Sequence, residues 1–294
     1  MNAPARHYIG GGNIAGILGV SPYKTPLDEY LTIMGEAPAP DAERQSFFRR
    51  RKSFEPVAAE LFTERTGLQL VAINRRLTDP EFDFIRAELD AETDDGANVE
   101  IKTVHPLAAR DWGAEGGDAC PVYVTAQAMH GLMVSGRELA YVLAMIGFDD
   151  VRVYRIERDD ETIAGLRRRA TDFWHQHVLA GVPPPARTGA DVLHLFTRDL
   201  GTVVEATPSI LETVARLRNL KSEARELATE IDGLEEQVKL FMGGAASLAF
   251  DGQVLATWKS QTARRLDQKA LEAAHPEIVE QFRKVAETRV LRIK

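Results

Sequence analysis

Asp90, Glu100 and Lys102 are the residues of this 294-residue protein whose types and spacing could do chemistry. They lie in the run ELDAETDDGANVEIKT, Glu88 to Thr103. Glu100 and Lys102 are two apart on a predicted strand, so their side chains share a face while Val99 and Ile101 turn to the other. Asp94-Asp95-Gly96 reads as a three-residue hairpin loop in which Gly96 is free to take a positive φ. That loop would set Asp90 across from Glu100, within about 5 Å. A two-residue loop would instead pair Asp90 with Ile101. Two carboxylates so close repel each other, and a divalent cation relieves the repulsion. Oxygen ligands select Mg²⁺, with Mn²⁺ as a substitute, and the backbone carbonyl of Ile101 is a further donor. Such a metal lowers the pKa of a bound water and stabilises charge on a phosphate under attack. Lys102 would position that water or balance the growing negative charge. The competing reading is a solvated hairpin with cross-strand salt bridges, because D-x9-E-x-K also arises by chance in acidic proteins.

Two more polar side chains stand on predicted helices beside this hairpin. Glu55, in KSFEP, would supply another carboxylate to the metal or its water; the plainer reading is a surface glutamate favoured by the helix dipole. Gln127, in VYVTAQAMHG, interrupts an otherwise apolar helix. Its amide could bind a phosphate or the attacking water, or be an ordinary helix-face glutamine.

The elements that must position these groups follow from periodicity and punctuation. GGGNIAGILG, Gly10 to Gly19, opens on glycines and continues at helical spacing. A short helix is predicted from Leu27 to Met34 and a longer one from Asp41 to Thr66, ended by Gly67. Its inward residues would be Phe54, Val57, Ala58, Leu61 and Phe62. Strands are predicted at Leu68–Arg76, Phe82–Glu92 and Asn98–Thr103, then a helix at Tyr123–Ser135. A hairpin, Glu138–Ile146 with Val151–Glu157, precedes a helix from Asp159 to Leu179. Pro183-Pro184-Pro185 then marks the clearest boundary. These signals predict a domain over 1–188, a linker over 189–206 and a mostly helical extension over 207–294.

In that extension Leu217, Leu220, Ala224, Leu227, Ile231, Leu234, Val238 and Phe241 alternate spacings of three and four, the pattern of a helical seam. The seam is expected to pack against other helices of the extension, with an oligomer contact or a partner dock as the sharper alternatives. A small hairpin is predicted around Asp251-Gly252, then helices near Asp267–Ala274 and Pro276–Glu287 and a strand at Arg289–Ile293.

Composition limits the function classes. No apolar run approaches the roughly 20 residues of a membrane helix, and the first ten residues hold no apolar signal core, so the protein reads as cytosolic and soluble. The lone Cys120 excludes an internal disulfide and a cysteine-ligated zinc or iron–sulfur site. A net charge of −8 weighs mildly against nucleic-acid binding, but DNA responds to local charge. Basic clusters exist at Arg49–Lys52, Arg167–Arg169 and Arg264-Arg265. Trp112, Trp174 and Trp258 read as core or interface residues, not base-stacking platforms.

Five segments in order resemble the YqaJ-like viral recombinase family, relatives of phage lambda exonuclease within the PD-(D/E)XK nucleases. They are IGGGNIAGILGVSPYKTPLDEYLTIMGE, SFEPVAAELFTERTG, LDAETDDGANVEIKT, VYVTAQAMHGLMVSG and the C-terminal run from Ile231 to Phe282. The resemblance implies an α/β fold, a mixed central sheet flanked by helices. It implies Asp90 and Glu100 as metal ligands, Lys102 as the catalytic lysine, and Glu55 and Gln127 as supporting groups. Arg6 falls where the family holds a 5′-phosphate, and Asn13 stands where many members carry a serine for that task. Also implied are digestion of linear duplex DNA from 5′ ends, a single-strand annealing partner of the RecT or Beta type, ring-shaped homo-oligomers in some members, and a phage or prophage gene expressed in bacterial cytoplasm. Two alternatives remain: an endonuclease or repair nuclease of the same superfamily, and a non-catalytic DNA-binding or adaptor protein.

Overall fold

The computed structural model describes residues 7–283 and 288–293. Its described residues divide into two compact units, the boundary falling between Leu195 and Phe196. In the first unit come α1 (Gly11–Leu18), α2 (Pro26–Met34), α3 (Ala42–Ser53) and α4 (Glu55–Thr66), then strands β1 (Leu70–Thr78), β2 (Arg86–Thr93) and β3 (Asn98–Val104). A 3₁₀ turn and α5 (Val122–Ser135) lead to β4 (Leu139–Ile146), β5 (Asp150–Glu157) and α6 (Asp160–Phe173). The sheet runs β1-β2-β3-β4-β5, with β3 and β4 parallel and the other pairs antiparallel. This is the mixed sheet flanked by helices that the family resemblance implies.

Two apolar layers enclose it. Helices α1, α2, α5 and α6 contribute Ile14, Leu27, Leu132 and Leu166 to the larger layer, together with Ala140, Val142 and Ala144 of β4. The smaller layer lies under α4, where Ala58 and Phe62 meet Ala91, Val99 and Leu143, with Ile101 packed against them. Val99 and Ile101 therefore face α4, which leaves Glu100 and Lys102 on the side of α5.

The helix expected over Asp41–Thr66 breaks at Phe54. Pro56 has no N–H to give the Lys52 carbonyl, so the i→i−4 ladder cannot pass it, and α4 starts again with its proline near the N-terminus. Of the predicted inward residues Ala58 and Phe62 are buried, while Val57 is exposed. The second strand begins at Arg86 instead of Phe82, because Asp79 Oδ1 accepts the Glu81 and Phe82 N–H groups and folds that segment into a turn. The helix predicted to reach Leu179 becomes a π-helical turn at Trp174–Leu179. The expected linker opens with a helix, α7 (Gly189–Leu195), whose buried Asp191 accepts from Thr25 Oγ1 at 3.0 Å.

The second unit holds α8 (Pro208–Met242), a hairpin of β6 (Ser247–Phe250) and β7 (Gln253–Thr257), α9 (Gln268–Ala274) and α10 (Pro276–Phe282). Asp251 and Gly252, both at positive φ, make its two-residue turn. Residues 288–293 form no strand, since no neighbouring strand pairs with them; residues 284–287 of the last expected helix lie outside the described residues. The helical seam is not covered as expected: Leu220, Leu227, Ile231 and Leu234 all remain exposed. Trp112 and Trp174 are buried, but Trp258 is half exposed. Among the described residues no helix is long and apolar enough to cross a membrane.

One packing contact fixes the glycine-rich opening. A Cβ on Gly16 would lie 2.5 Å from Glu29 Cγ and 2.7 Å from its Oε1. Glu29 is fully buried and bonded to Asn13, so it has no room to retreat. Gly16→Ala is expected to destabilise the protein by about 1–3 kcal/mol through overpacking, read as a lower urea midpoint with an unchanged m-value.

Candidate active site

The hairpin that carries the two carboxylates has the register predicted from its turn. Ala91 pairs with Val99 and Glu92 with Asn98, the Thr93 N–H donates to Ala97 O at 3.0 Å, and Gly96 takes φ +87°. Extending this register sets Asp90 across from Glu100. The ladder stops at Ala91, however, and one step further Asp90 Oδ2 accepts the Ile101 N–H at 2.7 Å. The carboxylate thus occupies the place of a strand carbonyl. Its anchorage to Ile101 also keeps it beside the Ile101 backbone, whose carbonyl is the expected third donor.

The turn is held from several sides. Thr93 Oγ1 donates to Asp95, and Ala97 N–H donates back to Thr93 Oγ1 at 2.9 Å. Glu92, buried at 2 % exposure, pairs with Arg75 of β1 at 2.9 Å and with Arg137 at 3.0 Å. Arg137 follows the glycine that ends α5 and also donates to Ala97 O at 3.0 Å. A buried carboxylate with two guanidinium partners is strongly anchored, since it stays paired if one is lost and only removal of both would leave its buried charge without a partner.

On the other face α5 brings Gln127 to the cluster. Lys102 Nζ donates to Glu100 Oε1 at 2.6 Å and to Gln127 Oε1 at 2.8 Å, and Gln127 Nε2 donates to Glu100 Oε1 at 2.6 Å. The three residues close a triangle that uses one Glu100 oxygen and leaves the other as an acceptor. Gly11 of α1 packs against this glutamine; a Cβ there would lie 3.3 Å from Gln127 Cγ. The glycine-rich opening is therefore a spacing device for the site as well as a helix start.

Burial and the neighbouring Glu100 charge push the Asp90 carboxyl up to about 7, against the Ile101 hydrogen bond and the Lys102 charge, which pull it down. Glu55 adds to the upward push. It stands half-buried at the start of α4. Among the described residues no three His, Cys, Asp or Glu converge as a metal-holding group. Glu55 reaches Asp90 through its charge in this metal-free arrangement. A two-carboxylate site with a backbone carbonyl still offers the hard oxygen donors that Mg²⁺ takes. An acid raised this far is also one whose ionised form a nearby cation would stabilise.

The two residues expected to hold phosphate fare differently. Arg6 lies outside the described residues. Asn13 is turned inward at 2 % exposure: its Nδ2 donates to Glu29 Oε2 at 2.7 Å and its Oδ1 accepts the Gly10 N–H at 3.0 Å. Both ends of its amide are engaged within the fold, so in this structure it shapes the turn. Sequence reasoning missed Arg76 and Arg86, which line a cleft with Gly10, Gly12, Asp90 and Gln127. The Arg86 guanidinium lies 5.0 Å from the centre of the Tyr8 ring. Its spacing of four from Asp90 on one strand was the available signal. Arg51, from the basic end of α3, donates to the carbonyl of Thr103, next to Lys102.

Comparison with known proteins adds to this geometry. Residues 4–138 match the family described as the YqaJ-like viral recombinase domain. The uncharacterized protein YqaJ of Bacillus subtilis strain 168 is 28 % identical over 298 residues, spanning 98 % of this sequence and 92 % of that protein. Two solved structures are similar in part. An alkaline exonuclease, LHK-Exo, from Laribacter hongkongensis has a TM-score of 0.47 and 16 % identity, over 60 % of this protein and 90 % of that one. A phage-related exonuclease from Haemophilus somnus 129PT has a TM-score of 0.43 and 13 % identity, over 59 % and 96 %. Asp90, Glu100, Lys102 and Gln127 all fall inside the segment that is similar to the YqaJ-like viral recombinase domain.

Proposed function

We propose that the protein is a Mg²⁺-dependent deoxyribonuclease that digests linear double-stranded DNA from 5′ ends and leaves 3′ single strands. The observation that carries this reading is the Glu100–Lys102–Gln127 triangle set beside Asp90 where the β2–β3 ladder ends. Asp90, Glu100 and the Ile101 carbonyl are the groups that would hold the cation. Bound there, it would supply Lewis-acid polarisation of the phosphate and an acidified water. Gln127 keeps the Lys102 ammonium directed at Glu100, so that this ammonium can donate to the attacking water or to a phosphate oxygen.

Substrate contacts follow the charge around the cleft. Arg86 and the backbone N–H groups of the glycine-rich turn suit a DNA phosphate, and Arg50, Arg51 and Lys52 of α3 suit the duplex backbone beyond it. These are phosphate contacts, which position DNA without reading its bases. The net charge of −8 is compatible with this because the positive side chains are local to the site. A 3′ single strand is the substrate of an annealing protein of the RecT or Beta type, the partner this activity would serve.

Linear duplex labelled at its 5′ or 3′ end provides the test, with Mg²⁺ and with EDTA. The wild type is expected to release the 5′ label as mononucleotide only with Mg²⁺ and to leave closed circles intact. Lys102→Ala and Glu100→Ala are expected to lower the rate by about 10²–10³-fold or more, and Gln127→Ala by less. Cutting of closed circles would assign an endonuclease instead. Folded protein inert with both Mg²⁺ and Mn²⁺ would leave only DNA binding.

The raised Asp90 carboxyl makes a second expectation with a defined sign. Between the ordinary carboxylate range and about 7, folded Asp90 keeps a proton that the unfolded protein has released. Metal-free protein is therefore most stable, as far as this group is concerned, at low pH and loses that share as pH rises through 7. In EDTA, unfolding free energy measured at pH 5 and pH 8.5 should fall by on the order of 2–4 kcal/mol from this source. Asp90→Asn should flatten the dependence, and Mg²⁺ should restore stability at pH 8.5 in the wild type alone.

A further inference from the structure

Helix α5 touches the cleft twice. Gln127 reaches the Glu100–Lys102 pair, and His130, three residues further on and so on the same helical face, reaches β2. His130 is fully buried, and its Nε2 lies 2.8 Å from the carbonyl oxygen of Arg86. A carbonyl oxygen carries no proton, so the ring donates and its N–H is on Nε2. Two glycines let the helix come close enough. A Cβ on Gly131 would lie 3.3 Å from Leu89 Cδ2, and one on Gly11 would lie 3.6 Å from His130 Cδ2.

Stability alone gives no account of this imidazole. Its Nδ1 is buried with no hydrogen-bond partner among the described residues. One bond made and one polar atom stranded leave little or no net gain. Burial also pushes the ring's pKa down, which keeps it neutral and limits it to a single N–H. What that N–H secures is the position of Arg86. The Arg86 N–H donates to the Ile9 carbonyl at 2.9 Å while its own carbonyl is held by His130, so both polar groups of its backbone are tied to segments outside the five-stranded sheet.

The Arg86 side chain extends from this mount into the cleft that holds Asp90 and Gln127. Its Nε donates to the Asp83 carbonyl at 3.2 Å, and its guanidinium lies over the Tyr8 ring at 5.0 Å. Neither of its Nη groups has a hydrogen-bond or ion-pair partner among the described residues. Arg76, the other arginine of the cleft, is already paired with Glu88 at 3.4 Å. Arg86 thus presents a free fork, the geometry that takes phosphate oxygens pairwise. We propose that His130 is a positioning residue for the DNA substrate: by donating to the Arg86 carbonyl it holds the Arg86 guanidinium where its two free amino groups meet a backbone phosphate. This deepens the nuclease reading and rests on it for the substrate. Helix α5 then sets both walls of the cleft, the hydrolytic one through Gln127 and the substrate-binding one through His130.

The test pairs affinity with turnover in the full-length protein. Affinity is read from the anisotropy of a labelled linear duplex in EDTA, and KM and kcat from its digestion with Mg²⁺. Arg86→Ala is expected to weaken binding about tenfold and to reduce the slope of log affinity against log salt by about one, the loss of one phosphate contact. His130→Leu should lower affinity and salt slope in the same direction and raise KM, with kcat changed by less than about threefold. His130→Gln, whose amide N–H reaches as far as Nε2, should restore most of the affinity. The double variant should bind no more weakly than Arg86→Ala, since the histidine acts only through the arginine. Because His130→Leu can disturb folding, the wild type supplies a second measurement: imidazole nitrogen chemical shifts should place the proton on Nε2. A proton on Nδ1, a His130→Leu penalty that persists undiminished beside Arg86→Ala, or a loss confined to kcat would each overturn the assignment. Cutting by His130→Leu at the wild-type KM would do the same and leave the nuclease reading intact. A wild type that binds the duplex but cuts it with neither Mg²⁺ nor Mn²⁺ would overturn the nuclease reading, while the affinity cycle would still support the assignment.

Discussion

The hydrogen bond from the Ile101 N–H to Asp90 Oδ2 is the constraint on which the site depends. An ordinary antiparallel ladder would fill that donor with a backbone carbonyl and hold the strands at constant separation. Here a side chain replaces the carbonyl, the strands part, and the gap between them holds two carboxylates facing one another. Because the exchange leaves no unsatisfied N–H, it costs far less than a broken ladder would. Glu92 with its two arginines, and the Thr93–Asp95–Ala97 turn, keep the paired end of the hairpin closed while its other end opens.

The electrostatics follow from that opening. Asp90 is buried beside Glu100, and burial and that charge together push its carboxyl up to about 7, whereas Glu100 is paired with Lys102. The two carboxylates thus have different characters in the metal-free protein: one is an acid whose ionised form needs a cation, and the other is half of an ion pair. Gln127 bonds to both members of that ion pair, and α1 comes so close to it that a Cβ on Gly11 would lie only 3.3 Å from its Cγ. Glycine at that position permits the helix to approach.

Much of this was legible in the sequence because turn chemistry and two-residue parity are local. The three-residue loop predicted the register, and the alternation of Val99, Glu100, Ile101 and Lys102 predicted the two faces. What was not legible is non-local. Asn13 looks like a ligand until Glu29, sixteen residues away, is found to occupy its amide. Glu92 reads as one more surface acid until Arg75 and Arg137 converge on it. The break at Phe54 was written in Pro56 but hidden by the apolar periodicity that continues across it. The seam of α8 is a different case: spacing locates an apolar stripe but does not say what covers it, and the expected cover by helices of the extension is not found.

The parallel pairing of β3 with β4 has a consequence in time. Parallel neighbours need a crossover, and here the crossover is the segment that holds Gln127. A nascent polypeptide on the ribosome that has released β2 and β3 can close its hairpin, since those contacts are local. The seat of α5, which packs on α1 and β2 as well as on β4, is complete only once β4 has emerged and paired with β3, about forty residues later, the offset of that pairing. The cluster is therefore a late product of synthesis, completed only when most of its own domain already exists.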